Sequence, residues 1–324
     1  MKSQAWQPIF MLRRHRMALS TWLRRSLAAL AGAAFLVNAA HAAAPQVKAQ
    51  APGYYRVMLG EFEVTALSDG TVALPVDTLL TRTTQAHADQ MLARNFLKSP
   101  VNTSVNGYLV NTGTKLVLID TGAATLFGPT LGNLADNLKA AGYQPEQVDE
   151  IYITHMHGDH VGGLMAGDKL AFPNAIVRAD QRDADFWLSA ENLEKALSPQ
   201  MKGMFQGAQT SLNPYVAAGK FKPFRGDTTE LVPGIKAVAA PGHTPGHSIY
   251  VIESQGQKLV LWGDLVHVAA VQFAEPSVTI QFDTDSKSAA AQRKRAYAEA
   301  AAQGYLIGSA HLSFPGLGHL RAEG

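Results

Sequence analysis

The 324-residue sequence contains no cysteine, so disulfides, thiolate metal ligands and thiol nucleophiles are all excluded. Its formal net charge is +2, but six of its 28 basic residues and none of its 26 acidic ones fall within positions 1–42, which leaves the remainder at −4. That balance removes any general attraction to nucleic acid, and 47% hydrophobic content is enough to bury a large core.

Residues 1–42 read as an export leader. Lys2, Arg13, Arg14, Arg16, Arg24 and Arg25 form a basic start, Ser26 to Ala40 is apolar, and Ala40-His41-Ala42 is an A-x-A cleavage signal. The alternative, a permanent membrane anchor, calls for about 20 apolar residues, and this run is shorter. Arg24-Arg25 suits a twin-arginine signal, and a plain secretory leader fits as well. The expected location is periplasmic or secreted, with residues 43–324 as one domain.

Along that domain, short apolar runs alternate with amphipathic segments. Strands are expected at Tyr54 to Leu59, Phe62 to Leu67, Gly107 to Asn111, Leu116 to Ile119, Glu150 to Thr154, Ala175 to Arg178, Ser248 to Ile252 and Leu259 to Trp262. Helices are expected at Gln85 to Phe96, Leu131 to Ala141, Asp183 to Ser189 and Ser286 to Gln303. Asp77 to Thr84 and Pro199 to Pro214 read as loops with apolar residues embedded in them. Strands interleaved with helices predict an α/β fold with helix-covered sheets.

The chemistry concentrates in Thr154-His155-Met156-His157-Gly158-Asp159-His160-Val161-Gly162-Gly163, directly after the apolar Ile151-Tyr152-Ile153. Neutral imidazoles bind borderline cations such as Zn²⁺, and a carboxylate adds an oxygen ligand. His155 and His157 point to one side while the backbone stays extended, whereas the adjacent Asp159 and His160 do not easily join them on the same ion. Two neighbouring ions are therefore expected. Further candidate ligands stand at strand ends: His243 after Ile235 to Ala240, Asp264 after Lys258 to Trp262, and His311 after Tyr305 to Ala310. His247, His319 and His87 read as local hydrogen bonders or solvated groups. His267, three positions past Asp264, reads either as a cleft residue or as an ordinary satisfied histidine.

Taken together, these residues resemble the metallo-β-lactamase superfamily of hydrolases, whose H-x-H-x-D-H motif is matched in full. The resemblance implies a four-layer αβ/βα sandwich with metals at the sheet edge. It assigns His155, His157 and His243 to one divalent metal ion and Asp159, His160 and His311 to a second, with Asp264 bridging both. Zn²⁺ is the expected metal, and the implied nucleophile is a hydroxide between the two ions, oriented in part by Asp159. Asp120, after the strand Leu116 to Ile119, matches a carboxylate that supports the ligands from behind.

Within the superfamily, Ala51 to Arg56, Ala66 to Asp77 and His311 to His319 resemble bacterial methyl parathion hydrolases and their dihydrocoumarin hydrolase relatives. Their aromatic leaving-group pocket maps onto Phe127, Trp187 and Phe205, and a homodimer is implied. Phosphotriester-specialised members carry Arg, Leu, Thr and Leu where this chain has Leu80, His267, Ile280 and Phe282. Bulky Ile280 and Phe282 suit a flat carbonyl better than a tetrahedral phosphotriester. The expected activity is hydrolysis of lactones or aryl esters of the dihydrocoumarin type, with phosphotriesterase activity secondary. The alternatives are organophosphate hydrolysis as the main activity, and a non-catalytic periplasmic metal-binding protein. The expected partners are small aromatic esters, lactones or phosphotriesters.

Overall fold

Leu116-Val117-Leu118-Ile119 is apolar at every position, which suits a strand covered on both faces. In the computed structural model, which describes residues 44–322, both faces are used. Leu116 and Leu118 enter one core with Leu109, Ile151 and Ile153, while Val117 and Ile119 enter a second with Tyr108 and Val110. The expected leader at 1–42 lies outside the described residues. Among the described residues, no helix is long and apolar enough to cross a membrane.

Among the described residues there are sixteen strands. β1 (Tyr54–Leu59), β2 (Phe62–Leu74), β4 (Val101–Asn111), β5 (Leu116–Ile119), β6 (Glu150–Tyr152) and β9 (Ile176–Arg178) form one six-stranded sheet in that order. β10 (Thr228–Val232), β11 (Ile235–Ala239), β12 (Ser248–Ser254), β13 (Gln257–Leu261), β15 (Leu306–Gly308) and β16 (Leu317–Gly318) form the other. Two short ladders complete the set: β3 (Leu80–Thr81) with β14 (Thr279–Ile280), and β7 (Met165–Ala166) with β8 (Lys169–Leu170).

The cores define the layers. Leu67, Leu109, Leu118 and Ile151 face helical residues including Leu134, Trp187, Phe205 and Leu212. Val64, Tyr108, Val117 and Tyr152 face Tyr250, Ile252, Leu259 and Leu261 across the two sheets. Val260, Trp262 and Ile307 face Ala296, Tyr297 and Ala300 of the helix Ser286–Gln303. Helix, sheet, sheet, helix is the expected αβ/βα sandwich.

Two segments differ from expectation. Asp77 to Thr84 is not a free loop: Val76–Leu79 is a helical turn, and Leu80 pairs with Ile280 in the β3–β14 ladder. Pro199 to Pro214 lies within one helix, Pro199–Ala217. The Ser198 hydroxyl caps it by accepting from the Met201 amide at 3.1 Å, and proline fits its first turn, where the amide has no helical partner. Phe205, Ala208, Leu212 and Tyr215 recur at helical spacing on its buried face. Its glycines and Pro214 disguise that stripe in the sequence.

Candidate metal centre

β6 lies between two parallel neighbours, β5 and β9, so its end opens onto the sheet edge. His155 and His157 follow there, and the helical turn Gly158–Val161 carries Asp159 and His160. A Cβ at Gly158 would come within 2.9 Å of the Phe127 ring, which explains glycine inside the motif. On the second sheet, the loop between β11 and β12 presents His243. Asp264 follows β13 through Gly263 at φ +53, and His311 follows β15. Ser248 N donates to Thr154 O at 2.9 Å and the Tyr250 hydroxyl to Ile153 O at 2.7 Å, tying the two sheets together beneath the site.

Among the described residues the donor atoms converge in three groups, the third of which, Asp264, His267 and His311, shares a residue with each of the other two. His155, His157, His243 and Asp264 offer atoms all within 4.8 Å of one another, and so do Asp159, His160 and His311. Asp264 Oδ2 lies 3.5 Å from His155 Nε2, 3.2 Å from His243 Nε2 and 3.1 Å from His311 Nε2. Its Oδ1 is 3.2 Å from His160 Nε2, so one carboxylate touches both groups. Asp159 Oδ2 reaches His160 Nε2 at 3.6 Å and His311 Nε2 at 3.5 Å.

The outward-facing nitrogens show what the inner ones hold. His243 Nδ1 donates to Asp283 Oδ1 at 2.8 Å, His160 Nδ1 to Asp120 Oδ2 at 2.8 Å, and His311 Nδ1 to Ser104 O at 2.9 Å. His155 Nδ1 reaches the Thr154 hydroxyl at 3.1 Å, which itself donates to Asp120 Oδ2 at 2.7 Å. Protons placed outward leave lone pairs inward. His155 Nε2 and His243 Nε2 then face His157 Nδ1 at 3.0 and 3.1 Å, where a proton on His157 Nδ1 can serve only one of the two lone pairs and a cation can serve both. The buried His160 Nε2 and Asp264 Oδ1 have no hydrogen-bond partner. The residues therefore fit a pair of divalent ions. Burial disfavours charge on His243, but Asp264 and Asp283 outweigh it and push its imidazole up to about 9. A pocket that attracts a proton in this way attracts a metal cation by the same field.

Three supports were not visible in the sequence reading. Asp283 holds His243 and also accepts from Ile280 N at 3.1 Å. Asp183, fully buried, accepts from Met156 N at 3.0 Å, the Thr244 hydroxyl at 3.0 Å and Gly246 N at 2.5 Å, joining the two loops that carry His155, His157 and His243. Neither carboxylate lies near the motif in sequence, and only the fold brings them to it. His247, expected as a local hydrogen bonder, is fully buried and accepts from the Asp264 amide through Nε2 at 3.1 Å. His267 Nε2 lies 3.0 Å from Asp264 Oδ2, so that ring is at the centre itself. His87 pairs with Glu275 at 2.6 Å, and His319 Nδ1 reaches Gly304 O at 3.0 Å.

Above the donors opens a cleft of about 520 Å³. His157, Asp159, Asp264, His267 and His311 form its floor, with Leu126, Phe127, Met204 and Phe282 among its apolar walls. Of the expected aromatic pocket, only Phe127 lines this space. Trp187 and Phe205 are a correction: they are buried behind the site, where the Trp187 ring packs edge-on to His157 at 5.1 Å and against Phe205 at 4.8 Å. They lie on the core side of their helices and support a ligand instead of facing the cleft. Leu80 and Ile280 are likewise buried, paired with each other in the β3–β14 ladder, so of the four expected specificity positions His267 and Phe282 reach the cleft.

A family model described as metallo-beta-lactamase superfamily matches residues 101–301. The chain belongs to the metallo-β-lactamase superfamily. A solved structure described as hydrolase AbOPH in the beta lactamase superfamily aligns with a TM-score of 0.80 at 38% identity, covering 85% of this chain and 95% of that one. AidC, described as a dizinc quorum-quenching lactonase in complex with a product N-hexanoyl-L-homoserine, aligns with a TM-score of 0.77 at 29% identity, covering 84% of this chain and 94% of that one. An N-acyl homoserine lactonase of Bacillus cereus is 32% identical over 124 residues, 38% of this chain. That match spans 40% of the Bacillus protein's length.

Proposed function

We propose that this chain is a metal-dependent hydrolase of lactones that carry an apolar substituent. The observation that carries the reading is the convergence of His155, His157, Asp159, His160, His243, Asp264 and His311 at the floor of an apolar-walled cleft. When bound, two divalent ions, zinc foremost, supply Lewis acidity and lower the pKa of coordinated water toward about 7. Asp264 and Asp159 offset their charge, and Asp120, Asp283 and Ser104 O hold the imidazoles in orientation. The walls do the selecting. Leu74, Leu126, Leu131 and Met204 offer aliphatic surface to an acyl chain or fused ring, and Phe127 and Phe282 flank it. Gln200, Gln206 and Thr210 add hydrogen-bonding groups on the side formed by the helix Pro199–Ala217. The lactonase relatives support this choice over a phosphotriester specialist, as do His267 and Phe282 at the cleft.

The test is one metal-loaded sample assayed against N-hexanoyl homoserine lactone, dihydrocoumarin, an aryl ester, methyl parathion and a β-lactam. Both lactones should exceed methyl parathion in kcat/KM by at least tenfold. A preference for the phosphotriester would overturn the substrate assignment, and metal binding without turnover of any substrate would leave a carrier protein.

A further inference from the structure

His247 is the imidazole beside the donors that has no lone pair to give. Its ring centroid is 5.4 Å from that of His155 and 5.8 Å from that of His243, and the residue is fully buried. Nδ1 lies 3.2 Å from Ala240 O, and because a carbonyl only accepts, Nδ1 carries the proton. Nε2 lies 3.1 Å from the Asp264 amide, and because an amide N–H only donates, Nε2 uses its lone pair there. Both nitrogens are spent on backbone groups. His247 is thus fixed in one neutral tautomer and unable to ligate.

What it holds is the turn that aims Asp264. Gly263 stands at φ +53, and a Cβ there would come within 2.8 Å of His247 Nε2, so the ring packs directly against the backbone at this point. Asp264 itself, at φ −101 and ψ 31, breaks from helical geometry inside the turn Gly263–Leu265. A small rotation of that peptide would swing a carboxylate that touches His155, His243 and His311 through one oxygen and His160 through the other.

We propose that His247 is a positioning residue: by accepting the Asp264 amide it sets the direction of the carboxylate shared by the two donor groups. The inference rests on the reading of Asp264 as a shared metal ligand. Two substitutions separate the two halves of the imidazole. In His247→Gln the side-chain oxygen reaches the place of Nε2 and still accepts from Asp264. In His247→Asn the side chain is one carbon shorter, and its amide can serve Ala240 O but not Asp264. The readouts are metal ions retained against a competing chelator, the visible spectrum of the Co²⁺-loaded protein, and kcat and KM separately.

The Asn variant should bind metal about 10–100-fold more weakly, with an altered cobalt spectrum and a fall in kcat larger than any change in KM. The Gln variant should stay within about threefold of the wild type in metal affinity, well short of the loss expected for a missing support. A Gln variant as defective as Asn, or an Asn variant with wild-type affinity and spectrum, would overturn the proposal. If the Asn variant fails to fold, metal retention by the Gln variant decides the matter alone. Wild-type protein that binds cobalt but opens no lactone would sink the functional reading while leaving this contrast standing.

Discussion

Asp183 ties the loop of His155 and His157 to the loop of His243, yet it does so as a carboxylate with no exposed surface. Burial raises its pKa, and the hydrogen bonds from Thr244, Gly246 and Met156 pull the other way without restoring the ordinary 3.8, so the group sits at about 6. A shift of that size corresponds to about 3 kcal/mol of preference for the neutral form in the folded state. The folded-state pKa is raised, so this contribution to stability is fully present below the unfolded value and is lost as pH rises through about 6. Asp183→Asn removes the titration. Its amide oxygen can still serve two donors, while one buried N–H is left facing an NH₂ group, which costs about 1–3 kcal/mol. Urea unfolding of both proteins in excess chelator, from pH 4 to pH 7, measures the difference free of metal binding. The variant should gain on the wild type by up to about 3 kcal/mol across that window. A difference that stays constant with pH would refute the claim that an anion is held there at a cost.

Two further outcomes are expected. Asp120→Asn leaves one acceptor oxygen where the carboxylate uses two, Oδ1 for the Thr154 amide and Oδ2 for His160 Nδ1 and the Thr154 hydroxyl, so metal affinity measured by chelator competition should fall about 10–100-fold with the fold intact. At Gly207, a Cβ would already meet Leu126 at 3.6 Å, so Gly207→Leu should narrow the cleft. It should lower kcat/KM for a long-chain acyl homoserine lactone about tenfold relative to dihydrocoumarin, and an unchanged ratio would place the acyl chain elsewhere.

Much of this architecture is legible in the sequence because the relevant signals are local. The run Leu116 to Ile119 announces a doubly covered strand, and the His/Asp residues that the fold gathers either crowd one motif or stand singly where apolar runs end. The helix Pro199–Ala217 escaped because Gly203, Gly207 and Pro214 are breakers by propensity, while tertiary burial of Phe205, Leu212 and Tyr215 overrides them. Trp187 and Phe205 misled for a different reason. An aromatic side chain near a site suits either a pocket wall or the packing behind a ligand, and only the facing of its helix decides. Asp183 and Asp283 carry no motif, since each acts on residues remote in the chain through contacts that exist only after folding.

The first five strands of the two six-stranded sheets share one order of senses, and the sixth differs, β9 lying parallel to β6 and β16 antiparallel to β15. In each, four strands run antiparallel in succession and the fifth, β6 or β15, joins in parallel. His155 follows the first of these and His311 the second, while the N-terminal half contributes His155, His157, Asp159 and His160, and the C-terminal half His243, Asp264 and His311. Neither half holds a complete set, so the centre is a seam that exists only while both halves keep their register. Tyr152 and Tyr250, stacked at 5.6 Å across the sheets, lie on that seam outside the lining of the cleft. Damage to such a buried contact would register as poor metal loading, and an enzyme weakened in its core would present as one starved of its ions.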